Sequence, residues 1–582
     1  MPKLILGPLL RFAGGTQATV WVETDAPAEV EVLGRSAGGA RGRARTFQAG
    51  GHHYGLVLVE GLEPGTAEEY GVALDGEPAW PEPGSGFPPS RIRTYHDGEP
   101  LRVAFGSCRV AVPHEPPWTL APDRHKLGRG ADALHAFALR MKDTDPAGWP
   151  HLLLLLGDQV YADDTSPGVQ EFIRSRRDPG EPPGEEVADF EEYAHLYWEA
   201  WREPVLRWLL STVPTAMIFD DHDVHDDWNT SATWVAEMRA EPWWDERITS
   251  GLATYWLYQH LGNLSPADLE EDPVWPRVRA AEDATAVLRE FAFRADREVA
   301  GTRWSYRRDF GRVRLVAIDS RCGRVLEPGR REMVDGEEWD WVERHATGDF
   351  DHLLLATSLP FLLAPATHYL EAWNEAVCNG AWGRVAAKLG EELRQAIDLE
   401  HWAAFNGSFD RLAALVADVA AGRRGAAPGS VVALSGDVHH TYLAELAFPG
   451  QRGIQSRAWQ AVCSPLRNPL PASMRAAHQR AFRRPAAVLA RRLARLARVP
   501  PEAVDWRVVE GPYFDNHLGL LELDGRSATL RVERAVASED GVPGGLEPLY
   551  EHRLAGPGGL KASPPVDGGS GGLKASPPVD GP

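Results

Sequence analysis

The sequence has few cysteines and a shortage of basic residues, and each shortage excludes a class of protein. Acidic residues outnumber lysine and arginine by 83 to 61, and the formal net charge of −22 argues against general nucleic-acid binding. The cysteines have neither the paired spacing of a zinc finger nor the density of a disulfide framework, which favours a reducing compartment. There are only four in 582 residues: Cys108, Cys322, Cys378 and Cys463.

Long apolar runs are also missing. No stretch approaches the 18 or so uninterrupted apolar residues that a membrane span requires. The apolar segment from Leu4 to Leu10 is interrupted by Gly7 and Pro8 and has no twin arginine and no small-residue cleavage site. We therefore expect this segment to be the first strand of the fold, no transmembrane segment, and a cytoplasmic protein.

Changes of pattern divide the chain into three parts. Residues 1–97 alternate apolar and polar positions between Gly/Pro turns, which predicts an all-β domain of the immunoglobulin or fibronectin type. Residues 98–550 interleave apolar strands with long helical patterns, which predicts a layered α/β domain. Residues 551–582 contain a tandem repeat with few large apolar groups, so we expect a disordered, low-complexity tail.

One short apolar run stands at the centre of the second part. Five leucines between His151 and Gly157 fit a strand buried on both faces of a sheet. Ligands gather at the carboxyl ends of such strands, and Gly157 allows the chain to turn sharply there. Asp158 and Tyr161 should then point into a crevice, where a carboxylate and a phenolate can hold a hard cation such as ferric iron.

Three more apolar strands end in residues that bind metals. The strand from Leu101 leads to Cys108, the strand from Pro214 leads to an Asp-Asp-His-Asp run, and the strand from Ser430 leads to Asp-Val-His-His. Together with the leucine strand, these ends supply a thiol, carboxylates, a phenol and imidazoles. That set of ligands at neighbouring strand ends is the layout of a two-metal site.

The combination and order of these motifs resemble the PhoD-like alkaline phosphatases, a branch of the calcineurin-like metallophosphoesterases. The resemblance covers residues 5–545 and implies a metallophosphoesterase sandwich that follows an N-terminal β-domain. It implies a phosphoric ester hydrolase that cleaves phosphate monoesters or diesters by attack of a metal-activated hydroxide. The motifs are Phe105-Gly-Ser-Cys108, Gly157-Asp-Gln-Val-Tyr-Ala-Asp163, Asp220-Asp-His-Asp223, Asp319-Ser-Arg321 and Gly436-Asp-Val-His439.

The resemblance also implies two metal sites that share one ligand. The ferric ion would be held by four residues: Cys108, Asp158, Tyr161 and His439. The second site would use the bridging Asp158 with Asp221 and Asp437, all oxygen donors, which favours Ca²⁺ and leaves Mg²⁺ and Mn²⁺ as alternatives. The wider superfamily has a further histidine after the strand that here ends Ala356-Thr-Ser358, and no histidine stands at this point.

Catalytic roles follow from the same comparison of motifs. His222 would protonate the leaving alkoxide as a general acid, and Asp223 would orient His222. Arg321 has two interpretations, a fork that binds a non-bridging phosphate oxygen or a structural salt bridge. The expected partner is a small-molecule phosphoester, and the sequence does not specify the oligomeric state.

Two alternatives remain open at this stage. The chain could be a catalytically silent scaffold that keeps the phosphatase fold, although it retains every expected type of ligand. The arginine-rich helical segment 474–498, interrupted by Pro485, could lie on a membrane or meet an acidic partner, or it could be a solvated helix that covers the domain surface.

Overall fold

A computed structural model describes residues 1–36, 39–327, 329–537 and 543–556. Most of the predicted low-complexity tail, residues 557–582, lies outside the described residues. The last strand, Pro543–Ala555, continues past residue 551, where the tail was predicted to begin.

The N-terminal region is all-β, as predicted. Its strands pair in antiparallel fashion in the order β1-β2-β6-β4-β3-β7-β8, with β5 added to β6 and β9 added to β7. The first strand contains the whole Leu4 to Leu10 segment, which confirms that this segment belongs to the fold; the immunoglobulin or fibronectin type stays a prediction. The strands are β1 (Leu4–Ala13), β2 (Gln17–Thr24), β3 (Glu29–Gly34), β4 (Arg41–Arg45), β5 (Phe47–Ala49), β6 (His52–Glu60), β7 (Ala67–Leu74), β8 (Glu77–Trp80) and β9 (Arg91–Arg93).

The second region contains two mixed sheets and a small hairpin. The first sheet has the order β12-β11-β10-β22-β23-β24 and the second the order β13-β14-β17-β18-β20-β19-β21, while β15 pairs with β16. The strands are β10 (Leu101–Gly106), β11 (Leu152–Leu156), β12 (Thr215–Ile218), β13 (Tyr306–Phe310), β14 (Val313–Ala317), β15 (Val325–Glu327), β16 (Arg330–Glu332), β17 (His352–Ala356), β18 (Ser430–Ser435), β19 (Thr441–Ala447), β20 (Arg457–Val462), β21 (Asp505–Tyr513), β22 (His517–Asp524), β23 (Ser527–Ala537) and β24 (Pro543–Ala555).

Helices connect these strands. They are α1 (Ala133–Lys142), α2 (Pro167–Arg176), α3 (Phe190–Trp201), α4 (Pro204–Thr212), α5 (Ala232–Met238), α6 (Trp244–Thr254), α7 (Leu261–Asn263), α8 (Pro266–Glu271), α9 (Trp275–Ala280), α10 (Thr285–Arg297), α11 (Gly336–His345), α12 (Pro365–Cys378), α13 (Arg384–Ala396), α14 (Asn406–Ala420), α15 (Ala472–Ala481) and α16 (Arg484–Leu496). A π-helical segment, Tyr255–His260, follows α6, and short 3₁₀ turns occur at Pro146–Gly148, Asp221–Asp223 and Trp402–Ala404.

Proline explains why two long helical patterns are broken into shorter helices. The pattern from Phe190 to Leu210 is divided because Pro204, which has no N–H to donate, begins α4 as its first residue. In the same way, Pro242 separates α5 from α6. The apolar spacing is helical on both sides of each proline, and the prolines determine where the helices end.

The two mixed sheets share one core, which confirms the layered α/β architecture. Along β17, Leu354 and Ala356 belong to the same apolar cluster as the five leucines of β11. Leu353 and Leu355, which alternate with them, pack instead in a cluster with α11 and α14. Because strand side chains alternate between faces, one face of the second sheet meets the first sheet and its other face is covered by helices.

Arg11 ties the N-terminal sheet to the second region. Its fully buried guanidinium donates to the carbonyl oxygens of Tyr258 at 2.6 Å, Gln259 at 2.7 Å and Thr215 at 3.2 Å. These acceptors lie in β12 and in the π-helical segment, whose irregular turn presents carbonyl groups to a donor from outside. The N-terminal region is therefore hydrogen-bonded to the strand that precedes the Asp-Asp-His-Asp run.

Among the described residues, no helix is both long and apolar enough to cross a lipid bilayer. The cytoplasmic location stays a prediction.

We predict that Arg11→Met lowers the free energy of unfolding by about 3 kcal/mol, because it leaves several buried carbonyl groups without a donor. Urea unfolding followed by circular dichroism measures this change. Arg43→Met is the matched control, since Arg43 forms only exposed ion pairs with Glu29 and Glu31, and should cost less than about 0.5 kcal/mol. Equal losses in the two variants would contradict the role given to Arg11.

Candidate metal centre

Four strand ends from the two sheets meet at one point. The approach is so close that glycine is required: a Cβ added to Gly157 would lie 2.9 Å from Cβ of Asp220, and one added to Gly436 would lie 2.2 Å from Oγ of Ser107. Backbone bonds join the ends, with Cys108 N donating to Gly157 O. Consequently the residues that follow β10, β11, β12 and β18 are held together by the sheets themselves.

Four predicted ligands have left-handed backbone conformations. Cys108, Asp158, Asp437 and His439 have φ angles of 56°, 50°, 64° and 50°, and they are four of the nine non-glycine residues with positive φ in the described chain. Such a conformation costs on the order of 1 kcal/mol or more for each residue and persists where the surrounding structure imposes it, commonly at functional sites. The strain thus falls on the residues that the motifs single out.

The four residues predicted to hold iron lie together. Ligand atoms of Cys108, Asp158 and His439 are all within 4.8 Å of one another. The Tyr161 hydroxyl donates to Asp158 Oδ2 at 3.3 Å and accepts from Asn468 Nδ2 at 3.3 Å. Burial lowers the pKa of His439 to about 4, so its imidazole is neutral at physiological pH, as metal binding requires.

A second group of carboxylates adjoins the first through Asp158. Oxygen atoms of Asp158, Asp220 and Asp221 lie within 4.8 Å of one another, so Asp158 belongs to both groups, as a bridging ligand must. Asp437, the third predicted ligand of this site, approaches from β18, and its Oδ1 is 3.8 Å from Arg321 Nη2. We expected Asp220 to be a cap or a solvated acid; its carboxylate does accept from the backbone N–H of Asp221, but it is fully buried and belongs to this group.

The residues present fit bound cations. Burial, together with the neighbouring carboxylates, raises the pKa of Asp158 well above its ordinary value. Burial likewise raises the pKa of the Cys108 thiol and of the Tyr161 phenol. Within the described chain, Asp158 Oδ1 and Asp220 Oδ2 are buried and make no hydrogen bond. Buried acidic groups without partners are costly, and a metal ion at this point would remove that cost.

Of the two interpretations of Arg321, its contacts favour the structural salt bridge over the phosphate-binding fork. Its side chain is fully buried and is bonded to Asp220, to Asp221 at 2.9 Å and to Glu400 at 2.6 Å. Each of its three guanidinium nitrogens lies within ion-pair distance of a carboxylate, and the buried side chain is not exposed to a substrate. Arg321 instead neutralises part of the buried charge beneath the second group.

Asp163, rather than Asp223, holds His222. The Nδ1 atom of His222 lies 2.9 Å from both carboxylate oxygens of Asp163. Asp223 points away: it accepts from the Asp220 N–H at 2.9 Å and from Gln259 Nε2 at 3.0 Å, and burial raises its pKa to about 7. The prediction that Asp223 orients His222 is therefore wrong. The signal for Asp163 was available, because it ends the Gly157-to-Asp163 motif.

His401 contacts a predicted metal ligand, and the sequence analysis gave it no role. Its Nε2 is 2.9 Å from Asp437 Oδ2 and its Nδ1 is 2.8 Å from Glu371 Oε1. An imidazole therefore reaches the second group from the segment before the Trp402–Ala404 turn. The histidine that the wider superfamily has directly after the strand corresponding to β17 is absent from this sequence. No spacing in the sequence indicates His401, because it comes from an irregular connection far from the motifs.

A third group, formed by His114, His135 and Glu203, lies outside the centre. The carboxylate already contacts both imidazoles, at 2.9 Å and 2.7 Å, and Arg109 Nη2 lies 4.0 Å from it. A positive neighbour at that distance disfavours a further cation. We therefore interpret this group as a structural ion-pair cluster.

Comparisons with known proteins agree with this geometry. Residues 136–293 match the family model described as PhoD-like phosphatase, and residues 1–92 match one described as a domain of unknown function (DUF7800). The solved structure entitled "Structure of PhoD" superposes with a TM-score of 0.57 at 12% identity, covering 97% of this chain and 93% of that one, which shows a shared fold.

A second solved structure, "The type III pullulan hydrolase from Thermococcus kodakarensis", has a TM-score of only 0.13 at 11% identity. No curated protein matches the chain.

Proposed function

Since the chain is a PhoD-like phosphatase and thus a phosphoric ester hydrolase, we propose that this centre hydrolyses a small-molecule phosphate monoester or diester with the help of two metal ions. One observation carries the proposal: the two groups of ligand atoms, each within 4.8 Å, share Asp158. A shared carboxylate is what two adjacent cations need, and a single structural ion does not need one.

The donor atoms indicate which metals would bind. The thiol of Cys108, the phenol of Tyr161 and the imidazole of His439 with Asp158 suit ferric iron. Asp158, Asp221 and Asp437 offer oxygen atoms, which suit Ca²⁺, with Mg²⁺ and Mn²⁺ as alternatives. When bound, such cations neutralise phosphate oxygens and lower the pKa of a water molecule, so that hydroxide can attack phosphorus in line.

His222 would supply the proton for the leaving group. Burial opposes the charged imidazolium, but the adjacent Asp163 outweighs burial, and the pKa of His222 lies well above its ordinary value. A protonated imidazole can donate to a developing alkoxide. Asp163, whose own pKa lies below its usual range despite burial, accepts from Nδ1, so Nε2, which lies 3.7 Å from Asp226 Oδ1, would be the atom that donates to the substrate.

The first prediction concerns iron. The oxidised protein should absorb visible light, because a phenolate or thiolate bound to ferric iron gives a charge-transfer band. Tyr161→Phe should weaken or shift this band, and Tyr442→Phe is the matched control, since the Tyr442 hydroxyl donates only to the carbonyl of Leu362. A colourless protein that contains no iron, or a spectrum that Tyr161→Phe leaves unchanged, would sink the ferric assignment.

The second prediction tests the reaction. His222→Ala should lower kcat on alkyl phosphates by roughly 10³-fold and on activated aryl phosphates by less than about 10-fold, because only a strongly basic leaving group needs a general acid. Asp163→Asn should change the same ratio in the same direction, by on the order of 10 to 100-fold. Steady-state kinetics on paired substrates measures both.

The controls for this test are His225→Ala and Asp164→Asn, neighbours that make no contact with the Nδ1 atom of His222. Equal losses on alkyl and aryl esters would remove His222 from the role of general acid. If the metal-loaded protein turns over neither mono- nor diesters, the chain is a phosphatase fold without catalysis, and the proposed function fails.

A further inference from the structure

Exposed apolar side chains are concentrated in two segments of the chain. Thirteen large apolar residues are exposed in the described chain, and eight of them fall within residues 382–397 and 474–496. These eight are Trp382, Val385, Leu389, Ile397, Met474, Val488, Leu489 and Leu496. We call the surface formed by residues 382–397 and 472–498 the basic–apolar face. Clusters of this kind mark interaction surfaces, whereas single exposed apolar residues need no explanation.

Helix α16 packs in the reverse of the usual manner. A surface helix normally buries its large apolar residues, yet the buried residue of α16 is an alanine, Ala494, which is 2% exposed; Ala497, just past the end of the helix, is 3% exposed. Two of its three leucines point outward, with Leu489 70% and Leu496 72% exposed, while Leu493 is partly buried. Helix α16 packs against α12, and most of its large apolar side chains are nevertheless presented to the outside.

The same helix and its neighbour α15 carry a strong positive charge. Residues 472–498 contain eight arginines and no acidic residue, in a chain whose net charge is −22. Within the described part of the chain, six of these arginines form no ion pair and are exposed: Arg480, Arg483, Arg484, Arg492, Arg495 and Arg498. Positive charge beside exposed leucines is the pattern of a helix that lies in a membrane interface.

The two segments form one surface. Trp382 Nε1 donates to the carbonyl of Leu496 at 3.3 Å, and α12 packs against both α13 and α16. On α15, the ring of His478 lies 5.2 Å from the ring of His440, which follows His439, a predicted iron ligand. The basic–apolar face therefore begins beside the metal centre.

We propose that the basic–apolar face binds the surface of a membrane that contains anionic lipids. Arg492 and Arg495 would contact the lipid phosphates, while Leu489 and Leu496 would enter the boundary between headgroups and acyl chains. The acidic remainder of the protein would be repelled from the same membrane, so that only this face could approach it. The proposal is independent of the catalytic one, since it uses none of the metal-binding residues.

A second copy of this chain is a poor partner for the basic–apolar face, because two such faces would bring their unpaired arginines together and repel each other. The leucines decide against a nucleic acid or an acidic peptide, because phosphate or carboxylate recognition uses the arginines alone and gains nothing from aliphatic groups. A lipid surface uses both kinds of side chain at once.

The test is co-sedimentation of the full chain with vesicles. The protein should bind vesicles of phosphatidylcholine with about one-third phosphatidylglycerol, and not vesicles of phosphatidylcholine alone. Arg492→Gln/Arg495→Gln should weaken binding roughly 25-fold, since one basic residue near an anionic surface contributes about fivefold. Leu489→Gln/Leu496→Gln should weaken binding as well. Salt at about 0.5 M should weaken the binding of the unaltered chain, because it screens the attraction between the arginines and the anionic lipids.

Matched controls separate the face from general effects. Arg41→Gln/Arg45→Gln removes two exposed arginines of β4, and Leu33→Gln/Leu58→Gln removes two exposed leucines of the N-terminal sheet; both should bind like the unaltered chain. Every variant must retain its thermal unfolding midpoint. No binding to anionic vesicles, or binding that the arginine pair does not affect, overturns the proposal. Binding lost with the arginine pair but unchanged by the leucine pair also overturns it, because that result describes a general polyanion site.

Discussion

The structure depends on the concentration of buried negative charge where the strands end. Carboxylate oxygens of Asp158, Asp220 and Asp221 lie within 4.8 Å of one another, close enough to hold one metal ion, and burial raises the pKa of each carboxyl group. Such a cluster is stable only with positive charge beside it. Arg321 supplies part of that charge from below. Asp158 Oδ1 and Asp220 Oδ2 are buried without a hydrogen-bond partner. Bound cations would supply the remaining positive charge.

The fold imposes this arrangement through the backbone. Gly157 and Gly436 permit strand ends of two different sheets to touch, and the residues that follow them adopt left-handed conformations. The same region is connected to the N-terminal sheet: Arg11 bonds to the carbonyl of Gln259, whose side chain bonds to Asp223, whose carboxylate accepts from the backbone of Asp220. The N-terminal domain thus belongs to the support of the centre.

Sequence reasoning succeeded where a signal is local. The five leucines of β11 and the ligand types after each strand are contiguous, so the strands and the layered architecture could be predicted. The resemblance to a known family implied that Cys108, Asp158, Tyr161 and His439 form one set. Sequence reasoning failed where a contact joins distant segments. Asp223 and Asp163 are both near suitable positions in sequence, and only the fold shows which one meets His222. Arg321 and His401 owe their roles to partners on other elements, and no motif spacing encodes these.

The central claim is that two cations share Asp158, and elemental analysis of metal bound to the purified protein tests it most directly. We expect two metal ions for each chain, and Asp158→Asn should lose both, whereas Asp164→Asn, its exposed neighbour, should keep both. If the unaltered chain binds a single ion, or if Asp158→Asn retains the full metal content, the centre is not a bridged two-metal site.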